Sequence, residues 1–557
     1  MRVGPLGAVE QALTGRGPDS RGEWTSDDGK AELLFRRLSI VDHTDKASQP
    51  FVRADLGLVA VLNGEIYNYS ELRRTLSGYD IRSQSDTEVL LLMYHSRGVH
   101  GFKALRGMFA CAILDTRRQR LVLCRDPIGK KPLFLHIGNQ EILFGSSVLP
   151  IRALCASELR QDDQAVNDFW RTGFIHPTRT VFQGIRPILP GEVLEFDWFG
   201  RLYAQQSCKP ETSALKVSSF NEAVEAIRAL LDQAVRRRLH NNPVPVTLLS
   251  GGIDSTVVTS AVANVGQAKA ITLSGHRWMV PDYPYACYAA RRLGLPLVRV
   301  RLLLGELAEE VVWVTSLQDE PFGPISFFPL ALMMREARKH TKIVLTGDGG
   351  DEVFLGYGKA ADWFRKTPGR RSPCDQSLVG PGTPAWMTEW GKEWIGPTLL
   401  GHMFCKLDRA SAEQGIEARC PLLDWDLMAA ARSLPPAILL RAGRTKAVLK
   451  GLLADWPAQF LERKKVGFTF RVRWLWGASL FRGVAELVDQ QVVERFAAYL
   501  PAGLRKQPRS WRAWDIFRNF NSVWKLIVWS QFERKTARLL QSARKSSASY
   551  SRSAPAK

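Results

Sequence analysis

The stretch Ser250-Gly251-Gly252-Ile253-Asp254-Ser255-Thr256 narrows the possible folds of this chain more than any other. The apolar run Val244–Leu249 precedes it and the helix-like run Val257–Val265 follows. Strand, glycine-rich turn and helix in that order aim backbone N–H groups at an anion. Gly251 and Gly252 have no Cβ, so phosphate oxygens can approach the main chain. Ser250, Ser255 and Thr256 add hydroxyl donors. A Walker-type loop needs a Gly-Lys-Ser/Thr ending, and none is present. A second glycine-rich turn lies in Leu345–Tyr357 (LTGDGGDEVFLGY), with Asp348, Asp351 and Glu352 inside it. From Phe220 the apolar period is helical, and the runs Val246–Leu249, Ala270–Leu273, Leu297–Leu303 and Ile343–Leu345 alternate with helical segments. That alternation predicts a parallel α/β sheet. Two glycine-rich turns at strand ends of one such sheet form a nucleotide cleft. Asp254 and Asp351 are placed to share Mg²⁺ on nucleotide phosphates, since hard oxygen ligands suit that ion. Asp319-Glu320-Pro321 supplies further acid nearby in sequence.

At 557 residues the chain exceeds a single core, and two or three domains are expected. Residues 33–150 alternate short apolar runs (Leu58–Leu62, Met108–Leu114, Leu121–Cys124, Leu133–Ile137, Ile142–Phe144) with turns such as Asn63-Gly64, around a helical segment at Glu88–His95. Residues 206–219 are polar and read as a linker between a first domain, 1–205, and a second, 220–541. After Arg409 the chain reads as mainly helical. Eight scattered cysteines form no CxxC pair, so neither a disulfide framework nor a zinc site is expected. No apolar stretch is long enough to span a bilayer, and residues 1–10 lack a signal-peptide pattern, so a cytoplasmic location is expected. The net charge of +21 invites a nucleic-acid partner, but residues 501–557 alone carry thirteen Lys/Arg and two acids. The excess is concentrated in that end, and a disordered basic tail over 542–557 accounts for it without nucleic acid.

SGGIDS resembles the pyrophosphate loop of ATP pyrophosphatases. Together with DEPF, LTGDGGDEVFLGY, Asp408-Arg409, IEARCPLLD at 416–424 and RKKVGF at 463–468, the chain is similar over nearly its whole length to glutamine-hydrolysing (class B) asparagine synthetases. The resemblance implies a ligase in which ATP and Mg²⁺ activate the aspartate β-carboxylate as an acyl-adenylate. It implies that ammonia then displaces AMP, and that the enzyme is a homodimer. By position, Leu248, Ser250, Gly251, Gly252, Asp254, Ser255, Leu273, Thr346 and Gly347 would line the ATP site. Asp254 and Asp351 would hold Mg²⁺, and Lys465, Asp348 and Glu352 would serve catalysis. Four departures touch the acceptor acid. Ser146-Ser147 stands where a Ser-Glu pair is usual. TGDGGDE replaces SGxGxDE, Leu295-Pro296-Leu297 follows Leu293-Gly294 where a histidine is usual, and Ala412-Glu413 replaces Met-Ala.

The first region resembles the amidotransferase half of the same family, an Ntn-type α+β sandwich, through GRGPDS at 15–20, RLSIVD at 37–42, NGEIYNY at 63–69, SDTE at 85–88, LRGMF at 105–109 and RDPIGKKP at 125–132. The resemblance implies that Arg37 pairs with the glutamine α-carboxylate, a task for a bidentate guanidinium. It implies that Asp86 takes the α-ammonium, that Asn63 and Gly64 form an oxyanion hole, and that the Glu65 backbone contacts the amino acid. The family nucleophile is an N-terminal cysteine, whereas the residues given open Met-Arg-Val-Gly. Cys111 and Cys124 lie in apolar runs and read as core thiols. As written, the chain is expected to use ammonium; a start further upstream would restore glutamine hydrolysis. Two other readings stay open: a relative that adenylates another acid or closes a lactam, and a non-catalytic or nucleic-acid-binding protein. Pyrophosphate release separates the three.

Overall fold

A computed structural model of the chain describes residues 6–139, 141–155, 158–211, 214–239, 244–275, 280–301, 307–357, 399–463 and 486–553. Among them sixteen strands form four sheets. In the first domain these are β1 (Ser20–Thr25), β2 (Glu32–Arg37), β3 (Phe51–Arg53), β4 (Leu58–Ile66), β5 (Gly107–Asp115), β6 (Arg120–Arg125), β7 (Phe134–Ile137), β8 (Ile142–Gly145), β9 (Ile185–Pro187), β10 (Glu192–Asp197) and β11 (Leu202–Ser207). Six make an antiparallel sheet of order β11-β10-β6-β5-β4-β3. Its central strands are apolar on both faces, because side chains alternate and both sides are covered. Leu58, Ala60 and Leu62 pack with Val89, Leu92 and Met93 of the helix Asp86–Arg97. Val59, Ala110 and Ala112 pack with Leu33, Leu133 and Leu135 from the β1-β2 and β8-β7-β9 sheets. Sheet on sheet with a helix outside is the sandwich expected. Ser85 caps that helix by accepting from the Thr87 N–H, and Gly98 ends it with φ +57°.

The second domain holds β12 (Val246–Leu248), β13 (Lys269–Ser274), β14 (Leu297–Arg301), β15 (Ile343–Leu345) and β16 (Glu417–Arg419), all parallel, in the order β14-β13-β12-β15-β16. The chain moves outward from β12 to β14, then returns to the other side of β12. The reversal leaves a crevice at the C-terminal ends of β12 and β15, where open α/β sheets bind ligands. The described residues after Arg409 are mainly helical, as expected, with one strand, β16, three residues long and two of them charged. One expectation needs correction. The segment from 542 is not disordered as far as Ser553, because the helix Phe520–Ser553 continues into it. That helix is anchored upstream by buried Val523, Trp524, Ile527 and Val528, and Ala543 still packs. A nucleated helix adds residues at low cost, which carries it into the Ser/Ala/Arg/Lys stretch. Among the described residues no helix is long and apolar enough to cross a membrane.

Candidate active site

The SGGIDS turn leaves β12 and enters the helix Ile253–Ala263. Its hydroxyls brace the turn. Ser255 Oγ accepts from the Ser250 N–H at 3.2 Å and shares a hydrogen bond with Ser250 Oγ at 3.0 Å. The second turn lies against it so closely that glycine is required. A Cβ on Gly347 would stand 2.5 Å from the Ser255 nitrogen, and one on Gly350 2.4 Å from Asp254 Oδ1. Leu248, Leu273 and Thr346 are buried at the same strand ends. The structure therefore brings the ATP-site residues expected from the sequence into one crevice, apart from Lys465, which lies outside the described residues with its neighbour Lys464.

Asp254 and Asp351 meet there, and the Lys446 ammonium joins them. Its Nζ hydrogen-bonds Asp254 Oδ2 and lies 2.7 Å from Asp351 Oδ1. Burial opposes the charge, but the two carboxylates outweigh it and hold the lysine above its ordinary value. Lys446 has φ +55°, a strained conformation for a long side chain and one that clusters at functional sites. No group of three or more metal-ligating side chains occurs among the described residues. Two carboxylates still fit magnesium, which takes one or two from protein and completes its shell with phosphates and water. Arg463, the first residue of RKKVGF, donates to the Gly251 carbonyl at 2.8 Å and to Asp282 Oδ1 at 2.5 Å. Its guanidinium lies 4.1 Å from the centre of the Tyr285 ring. Glu352 is buried, and the Tyr357 hydroxyl donates to its Oε1 at 2.5 Å. Burial pushes the Glu352 carboxyl up to about 7.

In the first domain Asn63 Nδ2 donates to Ser146 Oγ at 2.9 Å. Gly64 has φ +119°, and a Cβ there would stand 2.0 Å from the Met108 carbonyl oxygen. Arg37, at the end of β2, donates to the Asp42 and Thr44 carbonyls and lies in the field of Asp86. Asp86 accepts from the Ile66 N–H at 3.0 Å, and burial raises its carboxyl to about 6. The Glu65 side chain points elsewhere, forming a buried ion pair with Arg419 of β16.

The Asp319-Glu320 pair expected near the nucleotide fastens the domains together instead, and Asp408 adds to the same junction. Asp319 Oδ2 accepts from Ser147 Oγ (2.9 Å) and the Val148 N–H (3.0 Å), and Glu320 Oε1 accepts from the Val181 N–H (2.7 Å). Arg409 bridges both acids at 3.0 Å. Asp408 pairs with Arg16 of the GRGPDS stretch at 2.9 Å. The DEPF segment thus serves the domain junction, because its carboxylates satisfy buried backbone N–H groups of the first domain.

The sequence reading missed Lys446, Arg463, Tyr357 and Arg419. Arg463 and Arg419 lie inside motifs noted above, and Tyr357 ends the second turn. Lys446 carries no local sign at all.

A glutamine amidotransferase domain model matches residues 4–204, and an asparagine synthase model matches residues 226–534. Asparagine synthetase (glutamine-hydrolyzing) 1 of Bacillus subtilis is 26% identical over 536 residues, covering 84% of each chain. Asparagine synthetase (glutamine-hydrolyzing) of Brassica oleracea is 27% identical over 524 residues, covering 88% of this chain and 79% of that one. Amidase chry2 of Gibberella zeae is 29% identical over 377 residues, covering 61% of this chain and 54% of its own.

Proposed function

Because this chain belongs to the asparagine synthase family and carries a glutamine amidotransferase domain ahead of the synthase domain, we propose that it converts aspartate to asparagine through a β-aspartyl-adenylate. It is an ATP-dependent carbon–nitrogen ligase of the asparagine synthetase kind. The observation that carries the proposal is the meeting of two glycine-rich turns on Lys446 in the β12/β15 crevice. A carboxylate oxygen of the acid attacks the α-phosphorus of ATP, the α–β bridging bond breaks, and pyrophosphate leaves. Backbone N–H groups of the SGGIDS turn and the Lys446 ammonium stabilise the charge gathering on the departing oxygens. Asp254 and Asp351 would hold magnesium, which supplies further neutralisation of the phosphates. Ammonia then attacks the acyl carbon and AMP leaves. The surplus proton passes to the Glu352 carboxylate, whose raised affinity for protons suits that task.

Pyrophosphate release with a panel of carboxylic acids and ammonium tests this. Aspartate with ammonium should give asparagine, AMP and pyrophosphate in equal amounts. Ammonium should suffice, because attack on an acyl-adenylate needs only free NH₃ at that carbon. If a bulkier acid elicits pyrophosphate and aspartate does not, the aspartate assignment fails and another acceptor takes its place. Release with no acid would remove the ligase mechanism at this crevice.

The first domain is proposed to bind glutamine through Arg37, Asn63, Gly64, the Glu65 backbone and Asp86. Asp86 must be ionised to pair with the α-ammonium, and burial has raised its carboxyl to about 6. A raised carboxyl contributes stability at low pH that is lost as pH rises through about 6, so the empty site favours the protonated form below that value. Glutamine affinity should therefore be flat above pH 7 and weaken about tenfold per unit below 6. Calorimetric titration between pH 5 and 8 checks this. A flat profile in wild type, or an unchanged profile in Asp86→Asn, would rule out the assignment.

A further inference from the structure

Arg419 touches both candidate sites at once. It is the last residue of β16 and is fully buried. Its backbone carbonyl accepts from the Thr346 N–H at 2.9 Å, which fixes the first residue of the second nucleotide turn. Its side chain runs the other way. The guanidinium pairs with Glu65 of the NGEIYN stretch, donates through Nε to Glu417 Oε1 at 2.8 Å, and donates to the Arg238 carbonyl. Glu65 follows Gly64, which packs so closely on β5 that a Cβ there would stand 2.0 Å from the Met108 carbonyl oxygen.

The surrounding charges close into a balanced set. Arg238 pairs with Asp424 at 2.8 Å, and Lys131 approaches Glu417 at 3.7 Å. The Tyr67 ring covers both guanidinium groups, with centroid distances of 4.5 Å to Arg238 and 5.4 Å to Arg419. Three basic groups face three carboxyl groups, all nearly excluded from water, and burial pushes the Glu65 carboxyl up to about 8 against the pull of Arg419. In such a cluster no charge moves alone, because an uncompensated buried ion is costly. A displacement of the Glu65 backbone therefore takes the Arg419 guanidinium with it, and Arg419 shares a strand hydrogen bond with Thr346.

We propose that Arg419 is a positioning residue that couples the two sites, so that an amino acid bound at the Asn63–Glu65 stretch changes the affinity of the β12/β15 crevice for ATP. This rests on the assignment of those two sites under Proposed function. A ligand shifts another site only by what it does differently in two arrangements, and the shared cluster is the element that both ligands bias. By linkage the effect is reciprocal.

The test is calorimetric titration of the full chain with MgATP, with and without saturating L-glutamine, and of L-glutamine with and without MgATP. Wild type should show a change in ATP Kd of about fivefold or more on adding glutamine, and the same factor in reverse. Arg419→Lys keeps a buried cation but cannot span Glu65, Glu417 and the Arg238 carbonyl together. In it the factor should fall to about one, while ATP Kd without glutamine stays within about twofold of wild type. Glu417→Gln is the milder variant and carries the test if the lysine form does not fold; its factor should fall partway. A purely structural role would lower the melting temperature and leave the factor intact, and that result overturns the proposal. So does wild type binding both ligands with a factor of one, which leaves the site assignments standing. Wild type binding neither ligand would overturn the site assignments and the coupling with them.

Discussion

Lys446→Met is expected to lower acid-dependent pyrophosphate release by about a hundredfold or more, the usual cost of removing one preorganised charge from a transition state that gathers negative charge. Two effects act together. Methionine fills similar volume but leaves Asp254 and Asp351 facing each other without the ammonium that now joins them. The two turns pack so closely that no Cβ fits on Gly347 or Gly350, which keeps the two acidic residues on adjoining backbone. The phosphates would also lose a buried cation on the side where pyrophosphate departs. Raising magnesium from about 1 to about 20 mM should restore part of the rate, because the carboxylates then find another cation. Asp254→Asn and Asp351→Asn should each fall by a similar factor with the fold intact by circular dichroism. Near-wild-type turnover in Lys446→Met would show that the lysine only ties the loops together.

Arg409→Met should destabilise the chain by about 3–5 kcal/mol, the cost of stripping a buried ion pair of one partner. Arg409 is the cation shared by Asp319 and Glu320; Arg409 and Glu320 are buried at the domain junction and Asp319 is slightly exposed. Arg409→Lys keeps the charge but cannot hold both acids in one fork, so a smaller loss is expected. Replacing all three by apolar residues would not restore full stability. Asp319 and Glu320 also accept from the Val148 and Val181 N–H groups, which would then be buried without partners at about 1–3 kcal/mol each. Urea denaturation followed by tryptophan fluorescence checks the series. A loss below about 1 kcal/mol for Arg409→Met would place this pair among weakly contributing ion pairs.

The crevice was legible in the sequence because its parts leave local marks. Strands β12 and β15 are short apolar runs, and the turns after them are dense in glycine for a steric reason that the close contacts of Gly347 and Gly350 make explicit. Lys446 was not legible. It is one of 76 Lys/Arg, and only folding brings it to acids that lie far away along the chain. Strand β16 escaped for another reason. Glu-Ala-Arg has no apolar run; its extended state comes from pairing with β15, and its charges are neutralised from the other domain. The role of Asp319-Glu320 was misjudged because acid near a nucleotide turn in sequence says nothing about which way the carboxylates point. The strand-rich first domain was legible from its short apolar runs and the sandwich only through the family resemblance, whereas β1, half exposed along SRGEWT, offered no period to read.

The junction also bears on how such a protein can be inherited or rebuilt. Arg16 reaches Asp408, Ser147 and Val148 reach Asp319, and Glu65 reaches Arg419, so each half supplies the counter-charges or hydrogen-bond partners that the other half buries. A domain taken from a relative about 27% identical would arrive with most of its surface changed. Wherever such a domain lacked one of these residues, it would strand the partner charge or N–H group in a dry interface. Chimeras should therefore express well only when Arg16, Glu65 and the 146–148 turn travel with their partners on 319–320 and 408–419. The two halves form one heritable unit, and a gene fusion assembled from unmatched halves would have to acquire several paired substitutions before it could fold tightly.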